Sequence, residues 1–274
     1  MSGYFPADAQ IADDSSYAAG LYHEQKFAQA ALEYEWAVFQ AQGALEKITY
    51  LTAKAECQKQ SGDFNKALHS VNRAVTLAKG NDSATAQLYQ KRIFLHYVTQ
   101  EYAMAIQDYY RLRKKPELQK EQLHLYALSR MRNYEDSAFF AALEQFAAMT
   151  HNDSLVLQVQ EQFKSIKTLS PRKASIISAI IPGLGAAAAG KPLQGITSLL
   201  TIGAFGYYGY YAFTNGMIGT GIFSGVMFPL RLYLGGIHYA AVTAREKNLK
   251  KRNEVYKIIE RKVLFTHLKH QTNH

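Results

Sequence analysis

The stretch Gly62-Asp63-Phe64-Asn65-Lys66-Ala67-Leu68-His69-Ser70-Val71-Asn72-Arg73-Ala74 decides the fold. Gly62-Asp63 is a turn signal. Counted from Phe64, the residues Ala67, Val71 and Ala74 fall at +3, +7 and +10, on one face of a helix with 3.6 residues per turn. The same stripe recurs on both sides. Phe27 is followed by Ala30, Tyr34 and Ala37, and Tyr102 by Ala105, Tyr109 and Leu112. Tyr134 is expected to open a fourth such helix, with Ser137 at its small position. The four aromatics stand 37, 38 and 32 residues apart. At such a period each unit is a short supersecondary element that cannot bury its apolar face alone, so neighbours must stack. Residues 15–168 carry helical spacing throughout and no strand-like alternation. A last helix, Ser154–Thr168, is expected to cap the array before Ser170-Pro171, because proline disfavours helical backbone in the residue before it.

Gly62-Asp63-Phe64-Asn65-Lys66-Ala67, continued by Val71 and Ala74, resembles the tetratricopeptide repeat family at its turn and second-helix start. Lys26-Phe27-Ala28-Gln29-Ala30 and Glu101-Tyr102-Ala103-Met104-Ala105 match less completely, and the fourth unit is degraded. Ala18 and Ala55 take the place of the family's small first-helix residue, while Ile93 and Leu125 depart from it. The resemblance implies an all-α solenoid over 11–169 whose first helices line a concave face. By register, that face presents Tyr22, His23, Thr52, Glu56, Lys59, Gln90, Phe94, Tyr97, Tyr126 and Arg130. This mixed aromatic and polar set suits a peptide or protein segment. It does not match the basic clamp with which some members hold a C-terminal carboxylate.

The net charge of +9 is distributed unevenly. Residues 1–169 hold 18 Lys/Arg against 19 Asp/Glu; residues 170–243 hold four basic residues, no acid and 13 of the 18 glycines; residues 244–274 hold nine basic residues against three acids. A basic excess beside an apolar stretch is what cytoplasmic flanks of membrane spans carry, and it argues against nucleic acid as the partner. Pro192–Phe213 is a run of 22 residues without a charge, enough to cross a hydrocarbon core of about 30 Å. Thr214-Asn215-Gly216 is a turn signal, and Met217–Val242 is a second apolar run interrupted by Pro229 and Arg231. A glycine-rich transmembrane hairpin is expected, its arms in close contact at their small residues. Ala174–Ala189, broken by Pro182-Gly183-Leu184-Gly185, either re-enters the bilayer from one side or crosses as a third helix.

Ser170-Pro171-Arg172-Lys173-Ala174, Ser178, Pro182-Gly183-Leu184-Gly185 and Gly190 resemble small bacterial membrane domains that bear an S-P-x-x-A…S-x-x-x-P-G-x-G…G signature and occur fused to tetratricopeptide arrays. The polar Gln and Tyr that follow the signature there are replaced here by Ala186–Ala189. That resemblance implies a multi-pass protein of the bacterial inner membrane, and carries no chemistry with it.

The side of the array is open at this point. Two passes place the array, Arg172-Lys173, Lys191 and the basic tail at 244–274 together in the cytoplasm by the positive-inside rule. Ala7-Asp8-Ala9 has the small-x-small form of a signal-peptide cleavage site, which would put the array outside and require three passes; the alternative is that 1–10 is a frayed terminus. Arg231 lies about 16 Å deep at ~1.5 Å per residue, with no carboxylate between Arg172 and Val242 to pair with. Its candidate partners are backbone carbonyls, tyrosine hydroxyls, a lipid phosphate or an acid on another chain, with snorkelling to the interface as the alternative.

Other motifs fail on inspection. Gly185-x4-Gly190-Lys191 lacks the hydroxyl residue of a phosphate-binding loop, having Pro192 instead. His23-Glu24 has no second histidine four residues on. Cys57 is alone, which excludes an intrachain disulfide and a thiolate zinc cluster. No catalytic, cofactor, metal or small-molecule site is expected. The function expected is a membrane-anchored scaffold whose array engages a protein partner in cell-envelope biogenesis. The alternatives are a subunit of a membrane channel, transport or insertion complex, and an enzyme, for which no motif speaks.

Overall fold

The computed structural model describes residues 17–272, and every regular element among them is helical. The cleavage-like Ala7-Asp8-Ala9 lies outside the described residues. The helices are α1 (Tyr17–His23), α2 (Phe27–Gln40), α3 (Ala44–Gln60), α4 (Phe64–Leu77), α5 (Asp82–Val98), α6 (Tyr102–Arg111), α7 (Pro116–Glu121), α8 (Leu123–Arg132), α9 (Asp136–Met149), α10 (Ser154–Lys164), α11 (Pro171–Ile180), α12 (Leu184–Ala188), α13 (Pro192–Thr214), α14 (Ile218–Ile222) and α15 (Phe228–Thr272). A π-helical turn, Phe223–Met227, joins α14 to α15 directly before Pro229. The chain divides into two compact units, residues 1–156 with 263–274, and residues 157–262.

In the first unit one turn geometry recurs. Gln25, Gly62, Gln100, Tyr134 and His151 all take positive φ, between 51° and 80°. In each case the next amide donates to the carbonyl five residues back: Lys26 to Leu21, Asp63 to Gln58, Glu101 to His96, Glu135 to Arg130 and Asn152 to Ala147, at 2.8–3.0 Å. This left-handed C-terminal cap satisfies carbonyls that a helix end leaves orphaned. It also fixes the register of the fourth unit. Tyr134 does not open a helix; it is the left-handed residue of the turn, equivalent to Gly62. The equivalent of Phe64 is Asp136, so the stripe positions are Phe139, Leu143 and Phe146, all buried. The stripe of this unit is filled with larger side chains than alanine.

The stripe residues form the core, except Ala37, which is half-buried. Ala30, Tyr34, Ala67, Val71, Ala74, Ala105, Tyr109 and Leu112 are buried, as are the first-helix residues Ala18, Ala55, Ile93 and Leu125. Each helix of α1–α6 packs on its predecessor, and α8 packs on α6 and α9. Burying such apolar area supplies about 25 cal/mol per Å2, and the alanines let helix backbones approach. Glu35 on α2 ties three helices, accepting from Lys54 of α3 at 2.7 Å and Arg73 of α4 at 2.9 Å. Cys57 is fully buried, and desolvation, reinforced by Glu56, pushes its thiol up to about 12; it is a packing residue. The far end of α15 belongs to this unit too: Val263 and His267 are buried, and His267 stacks on His124 of α8 at 3.6 Å.

In the second unit the glycines explain the close contacts. Pro171 starts α11 at a position where its missing amide costs nothing. A Cβ on Gly185 would lie 2.0 Å from the Ala174 carbonyl and 2.5 Å from Ser178 Oγ, which accepts the Gly185 amide. One on Gly183, at φ +82°, would lie 2.1 Å from the Gly195 carbonyl. Ala174, Ser178, Gly183 and Gly185 are thus one packing device. α13 and the π-helical turn meet at Gly209 and Gly225, where a Cβ on Gly209 would fall 2.1 Å from Gly225 Cα. The run 218–272 is long and apolar enough to cross a membrane, and only 17% of its apolar window is buried within the chain. It does not break where the composition changes near Val242. α13 is 23 residues long, but its tyrosines and glycines dilute its apolar character.

Candidate partner-binding face

Four of the ten residues assigned to the concave face converge. Thr52, Glu56 and Lys59 of α3 and Phe94 of α5 line a cleft of ≈ 10 Å3 between the two helices, with Ala55, Val71, Lys91 and Leu95. That volume holds about one water, so the cleft is a seam on a surface rather than a small-molecule cavity. Its chemistry is set by Glu56 between two amines. Glu56 pairs with Lys59 at 2.5 Å, and burial holds the Lys91 amine below the usual lysine range, opposed by the attraction of Glu56. Tyr22 continues the face from α1. Burial, then Glu56, raises its phenol above the usual range, and it hydrogen-bonds Gln60.

The other assigned residues are engaged elsewhere. His23 meets the Tyr22 ring edge-on at 6.0 Å, at the end of α1. Gln90 donates to Glu121 at 2.7 Å. Tyr97 packs edge-on against Tyr102 at 5.7 Å, across its own turn. Tyr126 stacks on Tyr109 at 4.0 Å, and its hydroxyl meets those of Tyr110 at 3.0 Å and the Arg130 Nε donor at 3.1 Å. Arg130 also donates to Tyr110 and pairs with Glu135. Tyr126 and Arg130 therefore hold α6 to α8, a reason for their residue types that needs no partner. Arg231 is exposed on α15 and, among the described residues, makes no ion pair.

No family model, curated protein or solved structure matches this chain. The face must be read from its own residues.

Two features escaped the sequence. Lys91 lies one residue beyond Gln90, and only the stacking of α3, α4 and α5 turns it into the cleft. The second is a buried charge network behind it. Asp108 of α6, fully buried, accepts from Arg92 Nε of α5 at 2.5 Å and from Arg92 Nη2 on its other oxygen, and from Arg111 at 2.9 Å. Arg92 Nη1 donates to Asn72 of α4 at 3.1 Å. His96 of α5 lies 3.6 Å from Asp108 and 2.7 Å from Glu101; burial nonetheless holds its imidazole below the usual histidine range. A separate open depression of ≈ 380 Å3 touches Lys54, Gln58, Asn65, Lys66, His69 and Ser70. Its polar groups are largely spent on internal bonds, Lys66 with Asp63 and Ser70 with Gln58.

In the second unit, α11 lies antiparallel to α15. Tyr233 donates to the Ala179 carbonyl at 2.5 Å, Ser175 to the Ile237 carbonyl at 3.2 Å, and Asn248 exchanges two hydrogen bonds with the Leu169 backbone at 3.0 and 2.8 Å. The chain then returns through α12: Lys247 donates to the Ala188 carbonyl at 3.4 Å, and Lys191 reaches Tyr239 at 3.1 Å and Glu246 at 3.4 Å. Leu169 and Lys191 thus lie at the same level along α15, beside residues 239–248.

Proposed function

We propose that this chain is a membrane-anchored scaffold: a tetratricopeptide-like array of helix pairs engages a protein partner along its first-helix face, and a two-pass hairpin holds the array at the bacterial inner membrane. The observation that carries the partner reading is the convergence of Thr52, Glu56, Lys59, Lys91 and Phe94 at the seam of α3 and α5. A shallow seam of aromatic, cationic and anionic groups suits an extended peptide segment, which binds through distributed contacts rather than through burial in a pocket. The repeated turns and the buried stripe support the array reading.

The return of α11–α12 to the level of residues 239–248 favours a re-entrant element over a third crossing. α13 and the run beginning at Ile218 are then the two passes, so Ser170 and Arg245 share one side. Among the described residues before Ser170, no helix is long and apolar enough to cross a membrane; on this reading the array lies on that side too. The cluster of Lys and Arg there makes it the cytoplasmic side.

Photo-crosslinking in cells tests the partner reading. A photoreactive residue placed at Thr52 or Gln90 of the full-length chain is expected to capture one discrete protein. The same residue at the exposed His69 of α4 is not. Equal capture from all three positions, or none from any, overturns the reading.

A further inference from the structure

The second unit gathers its charges into one band. Arg172 and Lys173 stand between Leu169, bonded to Asn248, and Ser175, bonded to Ile237. Lys191 bonds Tyr239 and Glu246, with its amine 5.1 Å from the centre of the Tyr239 ring. Arg245, Lys247 and Lys250 follow on α15. Three segments far apart in sequence thus place six cations around residues 237–250. Between Arg172 and Arg252 the only acid is Glu246, already held by Lys191. Arg172, Lys173, Arg245 and Lys250 are exposed, and among the described residues none of them makes an ion pair. Immediately beyond the band, toward Ala179, the surface becomes apolar: Ile176, Ile180, Ile181, Leu184, Leu193 and Ile196 are exposed.

A cationic ring directly above an uncovered apolar belt matches the boundary between headgroups and acyl chains. Guanidinium and ammonium groups donate there to phosphate oxygens, and charge-assisted bonds of this kind are the strong ones. Solvation alone does not account for the arrangement. Like charges at this density repel, and the unit spends specific bonds (Asn248 to the Leu169 backbone, Lys247 to Ala188) on holding the three segments together. We propose that this collar binds the phosphate headgroups of anionic phospholipids, and so selects them from the surrounding bilayer. The proposal rests on the membrane reading of this unit.

The test uses the full chain, purified in detergent, delipidated, and offered equal amounts of phosphatidylglycerol and phosphatidylcholine, with bound lipid counted by native mass spectrometry. Each cation near an anionic headgroup contributes about fivefold in binding, so phosphatidylglycerol should exceed phosphatidylcholine by roughly tenfold or more. Arg172→Gln, Lys173→Gln, Arg245→Gln and Lys250→Gln together should bring the ratio near parity, with the helical circular dichroism unchanged. The charge-conserving pair Arg172→Lys and Arg245→Lys should keep the preference. Equal binding of the two lipids by the natural chain overturns the proposal, as does a quadruple variant that keeps its preference. Failure of the membrane reading looks different: the chain would then stay in solution without detergent.

Discussion

Replacing Asp108 by Leu is the most informative perturbation of the first unit. Asp108 is fully buried and is the acceptor for both Nε and Nη2 of Arg92, whose side chain is 9% exposed. Removing it leaves a largely buried guanidinium with the Asn72 side-chain oxygen Oδ1, 3.1 Å away, to receive one of its donors. Breaking a buried pair from one side costs about 3–5 kcal/mol, because the surviving charge stays desolvated. Against a stability of about 5–15 kcal/mol, that is a large fraction. At ~2–4 °C per kcal/mol for a unit of this size, the melting point should fall by roughly 10 °C. Because the chain has two units, a single melting curve mixes transitions. The sharper assay is hydrogen exchange read on peptides from α5 and α6, which should lose protection while peptides from α13 keep theirs. The double variant Arg92→Met, Asp108→Leu removes both charges and should recover most of the loss, since apolar replacement of a whole buried pair is often neutral. A loss below about 1 kcal/mol in the single variant, or a double variant as unstable as the single, would refute the argument.

Gly209→Leu should separate α13 from the π-helical turn, because even a Cβ there meets Gly225 Cα at 2.1 Å; Gly203→Leu, with nothing within 4 Å, is the control. Their aggregation temperatures in detergent are expected to differ by several degrees, and equal values would count against the arm packing. Lowering the pH should destabilise the first unit through His124 and His267. Burial depresses both, His124 with help from His267 and His267 to about 4 with help from His270. The unfolded state therefore binds more protons than the folded one below the ordinary histidine pKa of about 6.5. The stability they contribute is intact above that value and falls as the pH drops toward 4. A His124→Phe, His267→Phe variant should lose this component of an acid titration followed by circular dichroism, and an unchanged titration would disprove the linkage. For topology, Asn215→Cys should react with a membrane-impermeant maleimide from outside intact cells, and Arg172→Cys and Lys250→Cys only after permeabilisation. Labelling of Arg172→Cys in intact cells would support three passes instead of two.

What the sequence revealed, it revealed through period. Small residues at +3 and large ones at +7 are visible wherever helices pack by alanine, so the stripe could be read at Phe27, Phe64 and Tyr102 without any structure. It failed at the fourth unit for a physical reason. Tyr134 looks like the aromatic that opens a helix, but its backbone takes φ +62° in the turn, a conformation rare for bulky residues that no side chain announces. Phe139 then occupies the place of alanine. The Arg92–Asp108 pair was invisible because it joins positions 16 apart on different helices, and no periodicity links them. The P-G-x-G motif was legible as a break in the run Ala174–Ala189, yet the close approach behind it, the Ala174 carbonyl 2.0 Å from a would-be Cβ at Gly185, exists only in three dimensions. Of the proposed face, Thr52, Glu56, Lys59 and Phe94 came together while Gln90, Tyr97, Tyr126 and Arg130 did not, because register reports which side of a helix a residue occupies and not what its tip bonds.

The network and the cleft are two faces of one helix. Lys91 and Arg92 are neighbours, so their side chains leave α5 about 100° apart at 3.6 residues per turn. One enters the seam with α3; the other enters the pair with Asp108. Phe94, Leu95 and His96 repeat the division: Phe94 and Leu95 line the cleft, and His96 joins the network. Turning α5 to reshape the cleft would drag Arg92 off its carboxylate, so the cost of breaking a buried pair also resists rotation of the proposed partner-facing surface. A partner meeting such a surface spends little of its binding energy on ordering it. Asp108 touches nothing in the cleft. Even so, Asp108→Leu should weaken capture from a photoreactive residue at Thr52, and the Arg92→Met, Asp108→Leu double variant, if it repacks α5 in place, should restore it. Capture that ignores both variants would mean that the cleft keeps its shape without the network.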